Sequence, residues 1–185
     1  MMNTTKVAII ISFVALSIAT NYALVGLPNL KVMDFIVFIG GFCFGPVVGS
    51  SIAILTWAVY GVINPYGFVL PVWLATIFSE SIYGVVGGLL GKNLASINLE
   101  DQHLRSGLLF GSLGFILTLI YDLTTNIVYA LTFGLPILVS IILGVPFTAL
   151  HELSNTAIFS VGSVPLIRAV RKISVGDRIG FFSTK

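Results

Sequence analysis

The chain has 185 residues, of which 57% are hydrophobic and 9% charged, and its formal net charge is +2. A soluble domain carries about 25% charged residues, so this composition, with a mean hydropathy of +1.07, excludes an ordinary soluble globule and indicates an all-α, multi-pass protein of the cell membrane. The charge is too small and the basic residues too dispersed for a nucleic-acid interface, and a single cysteine, Cys43, excludes a disulfide framework and a CxxC pair.

The N-terminal "MMNTTK" leads into an apolar run that continues to Val25 without a small-residue cleavage site, so it reads as a spanning helix and not as a signal peptide. A span needs about 20 residues at ~1.5 Å each. Six segments fit, two of them short: about 7–26, 32–45, 47–63, 71–91, 106–132 and 146–171, forming a single membrane domain over 1–185. "GLPNLK" (26–31) and "NPYGFVLP" (64–71) break the apolar runs, and "FGPVVG" (44–49) makes a tight turn with Pro46 suited to starting a helix. Taken as one helix, 137–171 would be about 50 Å long against a hydrocarbon core of ~30 Å. The expectation is therefore a break at Pro146, with 137–145 a separate short outer or re-entrant piece. Eight of the nine Lys and Arg residues fall on one side of this arrangement and only Lys31 on the other, which puts both termini in the cytoplasm.

Ionisable groups inside spans are costly and mark functional positions by default. Glu80, Asp122, His151 and Glu152 all fall between the outer surface and the midplane, whereas Asp34 lies close enough to a span end to reach the interface. Residues three or four apart share a helix face. Thr118, Asp122, Asn126 and Tyr129 form one such stripe, His151 and Asn155 another, and Thr76, Glu80, Tyr83 and Gly84 a third. Any one of these groups alone is as readily explained by a structural hydrogen bond. Convergence from three segments points instead to a pocket that orients a small organic ligand within apolar walls. Tyr121 and Thr124, on other faces, read as packing or helix-bonding residues.

The outer loop 60–73 carries Tyr66 and Trp73 and suits either a lid or an interfacial aromatic belt. "LPNLKVMD" (27–34), with Asn29, Lys31 and Asp34, is placed to close the pocket from the other side. Small residues recur at close-packing intervals: Gly41, Gly45 and Gly49; Gly84 and Gly88; Gly87 and Gly91; Gly107 and Gly111; and Ala15, Ala19 and Ala23 in the first span. Most such stripes are internal packing, and one of them could be a docking face. "HELSN" (151–155) lacks the second histidine of HExxH, and neither a GxSxG nor a Walker A sequence is present. No metal, cofactor or catalytic group is expected.

The combination of six spans, AxxxA from Ala15 to Ala19, "FIGGFCFGPVVGSSIAILTWAVYG" across spans two and three, "YDLTTN" (121–126) and "HELSNTAIF" (151–159) resembles the substrate-binding S component of an energy-coupling factor (ECF) vitamin transporter. The resemblance implies a subunit that captures a vitamin or precursor from outside and docks on a membrane scaffold subunit driven by two cytoplasmic ATPases. It implies that Ala15 and Ala19 form the docking face. It also implies that polar residues of spans four to six, with the first and third outer loops, hold the ligand. Asn29, Trp73, Glu80, Tyr83, Asp122, Asn126, His151 and Asn155 are the expected ligand contacts, and the acid pair would suit a cationic or hydrogen-bond-donating ring. The alternatives are a proton-coupled secondary transporter in which Asp122 and Glu80 relay protons, and an intramembrane enzyme using His151 and Glu152.

Overall fold

The computed structural model describes residues 4–65, 67–94 and 103–176. They form six helices: α1 (Thr4–Ala23), α2 (Met33–Phe44), α3 (Pro46–Ile63), α4 (Leu70–Asn93), α5 (His103–Phe133) and α6 (Ile137–Gly176). No strand occurs among the described residues. All but α2 are long and apolar enough to cross a membrane, which makes the chain multi-pass by length and composition. Tyr66, most of the 92–105 loop, Arg178 and Lys185 lie outside the described residues.

The 32–45 segment, expected as a short span, forms α2, whose 12 residues measure about 18 Å against a hydrocarbon core of ~30 Å. It lies inside the bundle, with every residue from Met33 to Cys43 buried. Its end is set by Gly45, whose φ of +95° suits glycine, and whose N–H donates to the Gly41 carbonyl at 2.7 Å. Pro46 then starts α3, where its missing N–H has no intrahelical acceptor to serve.

Glycines draw α4 onto this hairpin. A Cβ on Gly84 would overlap the backbone of Gly49, one on Gly41 the Gly84 carbonyl, and ones on Gly87 and Gly91 the carbonyls of Phe38 and Phe42. These stripes are therefore internal packing, backbone against backbone. Below the level of Asp34 the bundle is filled by aromatic rings: Phe38 packs on Phe159 with centroids 5.1 Å apart and on Phe110 at 6.0 Å. Cys43, 6% exposed, belongs to the same core. A water-soluble maleimide is expected to leave this thiol unmodified in the folded protein and to label it fully after denaturation; labelling of the native protein would contradict this packing.

The expected break at Pro146 is absent. α6 runs through both Pro146 and Pro165 as one 40-residue helix. A proline removes one ladder hydrogen bond, whereas ending a helix exposes several backbone groups that hydrocarbon cannot satisfy, so continuation costs less. α1 lies at the perimeter: it buries Ile10, Ser17 and Asn21 on one face and leaves Ala15, Ala19 and Ala23 exposed.

Candidate functional site

The shortness of α2 creates the site. Its first turn begins well inside the bundle, and the space beyond it is a cavity of about 490 Å³, walled by the α1–α2 and α3–α4 links and by the adjoining ends of α1, α3, α4, α5 and α6. That volume suits a small organic ligand. The cavity lies at the end of the bundle away from Thr4; at the other end Arg171 of α6 sits 5.6 Å from the Phe42 ring.

The walls are mainly apolar and rich in rings, with Trp57, Tyr60, Phe68, Trp73, Tyr121 and Tyr129 among them, and the side-chain amides of Asn21, Asn29, Asn64 and Asn126 are interspersed. Trp73 donates its indole N–H to the Trp57 backbone carbonyl at 2.8 Å, which fixes the Trp73 ring. Asn29 holds a left-handed turn, φ +57°, at the rim, a conformation that asparagine tolerates better than most residues.

Beneath the cavity lies a buried polar network. His151 stands between two aspartates, its Nε2 2.6 Å from Asp34 Oδ2 and its Nδ1 3.0 Å from Asp122 Oδ1. An imidazolium, with an N–H on each nitrogen, would satisfy both. Asn155 Nδ2 donates to Asp34 Oδ2 and to Thr118 Oγ1, both at 2.8 Å, and Tyr83 Oη donates to Thr118 Oγ1 at 2.9 Å. Asp34 occupies the first turn of α2, where the helix dipole favours a negative charge. The network thus ties α2, α4, α5 and α6 together under the cavity floor. Glu80 is equally buried and accepts the Trp57 indole N–H at 3.3 Å, which couples a wall ring to the layer below.

Of the eight expected ligand contacts, Asn29, Trp73, Asp122 and Asn126 line the cavity. Glu80, Tyr83, His151 and Asn155 lie in the layer beneath it and are fully buried. Helical spacing places these residues on the correct faces, but the cavity ends about one turn short of them: Thr76 and Thr148 are at the wall, and Glu80 and His151 follow four and three residues later. Two other expectations are corrected. Asp34 does not reach an interface but is 0% exposed. Tyr121 is not merely a packing residue, because it lines the cavity beside Asp122; α5 packs against neighbours on both sides, so adjacent residues on different faces are both enclosed. Thr124 bonds its own helix, donating to the Ile120 carbonyl.

Sequence reasoning also passed over Asn21, Trp57, Tyr60 and Asn64 as wall residues. Trp57 and Tyr60 are three residues apart at the end of a span, a spacing that puts two rings on one face and was available as a signal. Lys31 lines the cavity too, and its isolation from every other basic residue marked it in the sequence.

These features define a class: an all-helical membrane bundle with an aromatic cavity at one end, floored by buried carboxylates and closed below by packed rings. Comparison with family models, with curated proteins and with solved structures finds no significant match to this chain.

Proposed function

We propose that this chain is the substrate-capturing membrane subunit of an ATP-driven, ECF-type importer, and not an enzyme. It holds a vitamin or vitamin precursor in the cavity between the α1–α2 and α3–α4 links. In this reading the bundle crosses the membrane six times with α2 as a short buried span, both termini are cytoplasmic, and the cavity opens to the outside. The basic residues at the far end, Lys92, Arg105, Arg168, Arg171 and Lys172, agree with that orientation. The observation that carries the proposal is the blind cavity itself: a roomy aromatic chamber that stops at a plug of buried rings suits binding better than conduction. A separate scaffold subunit and two ATPases would supply movement and energy, with the exposed Ala15 and Ala19 as the docking face.

The test is reconstitution in proteoliposomes. Uptake is expected only with scaffold, ATPases and ATP, and Ala15→Trp with Ala19→Trp is expected to remove the chain from that complex while leaving ligand binding intact. The buried Asp34–His151–Asp122 chain supports a second reading, a proton-coupled secondary transporter, since such chains can relay protons. Uptake by the chain alone, abolished by an uncoupler, would favour that reading and reject the first.

A further inference from the structure

Lys31 is the one lysine or arginine among the described residues that lines the cavity. Its ammonium lies 4.5 Å from the Tyr121 ring centroid and 5.9 Å from that of Trp57, and it donates to Tyr121 Oη at 3.3 Å. No carboxylate lies within ion-pair distance of it among the described residues, and Asp34 and Asp122 pair with His151 instead. The aspartates nearest the cavity are thus already engaged by the imidazole, and only Asp122 of the two reaches the wall, at 4% exposure. The charge that the cavity offers to a ligand is consequently positive and single. In a mostly apolar chamber, a cation that makes no direct ion pair favours an anionic partner more than it would in water, although the carboxylates of Asp34 and Glu80 below share its field.

The surroundings narrow the anion. One ammonium balances one negative charge, and a second would lie above Asp34 and Asp122, two carboxylates that share a single imidazole, which disfavours a phosphate dianion. The ammonium sits over two rings, and Trp57, Tyr60, Trp73 and Tyr121 line the same cavity, so aromatic surface is available beside it for an apolar ring. Asn126 supplies a neutral donor and acceptor for its heteroatoms.

We propose that the cavity selects a monocarboxylate carried on a planar ring, with the carboxylate on Lys31 Nζ and the ring against Trp57 and Tyr121. This rests on the capture reading above, and it replaces the cationic ring that the acid pair suggested, because Glu80 lies sealed beneath the wall and Asp122 is engaged by His151.

The chain has two tryptophans, Trp57 and Trp73, and both line the cavity, so its intrinsic fluorescence reports occupancy directly. Purified protein in detergent is titrated with phenylacetate, phenylacetamide and phenethylamine, three probes of one shape that differ in charge. In parallel, a solvent extract of protein purified without added ligand is analysed by mass spectrometry. The carboxylate is expected to bind about tenfold or more tightly than the amide or the amine. Lys31→Gln is expected to abolish that preference and Lys31→Arg to retain it, and the extract is expected to hold a ring-bearing monocarboxylic acid. Equal binding of the three probes by the parent protein, a neutral or cationic compound in the extract, or an undiminished preference in Lys31→Gln overturns the proposal while leaving the capture reading in place. An empty extract together with no fluorescence response to any probe overturns the capture reading as well. Should Lys31→Gln fail to fold, the probe series on the parent and on Lys31→Arg decides.

Discussion

His151→Leu is expected to lower the stability of the bundle by about 3–5 kcal/mol, the cost of removing one partner from a buried ionic group and stranding the others. The substitution keeps the volume of the ring approximately but leaves Asp34 Oδ2 and Asp122 Oδ1 without the imidazole between them. Asp34 is 0% exposed and would retain only the Asn155 amide. The measurement is the denaturation midpoint in a mild detergent, followed by tryptophan fluorescence. The triple variant Asp34→Asn, Asp122→Asn, His151→Leu is expected to recover most of the loss, because no charge is then left unpaired. If His151→Leu alone melts with the parent, the imidazole does not hold the three helices together.

A comparable loss, about 3 kcal/mol, is expected from Gly84→Val, for a steric reason. The added Cβ would meet the Gly49 backbone and stand 2.7 Å from the Ser50 nitrogen. Neither can yield by changing a rotamer, so α3 and α4 must separate, and the packing of Gly41 against Gly84 is lost with them. Gly26→Ala is the matched control, because nothing lies within 4 Å of a Cβ there, and its effect is expected to stay within about 0.5 kcal/mol. Equal midpoints for the two variants would contradict the close approach of these helices.

Much of this architecture was legible in the sequence, and the reasons are local. Gly45 followed by Pro46 carries its own geometry, so the turn between α2 and α3 falls where the residues place it. Start and stop signals likewise locate α3 and α4 to within a residue or two. Pro146 misled because proline acts as a helix breaker where water can satisfy the freed groups, and it loses much of that force in an apolar surrounding. The candidate site was legible by face and not by depth. Helical spacing grouped Thr76 with Glu80 and Asp122 with Asn126, but how far a cavity descends depends on which neighbouring helix is short, and no pattern within α4 or α5 records the length of α2. Asp34 was underrated for the same reason: its distance from a segment end suggested an interface, whereas that segment begins deep in the protein.

The length of α6 bears on the lipid around the protein. From Ile137 to Lys172 it has 36 residues and measures about 54 Å along the axis, against a hydrocarbon thickness of ~30 Å. Even a tilt of 40°, the upper end of the usual range, shortens its projection only to about 41 Å. Elsewhere on the perimeter the 20 residues of α1 match an undistorted bilayer at about 30 Å. In a bilayer, α6 would have either to project beyond the hydrocarbon, as its basic end at Arg168, Arg171 and Lys172 suits, or to thicken the lipid beside it, whereas α1 would need neither, so mismatch with acyl-chain length would fall on one side of the molecule.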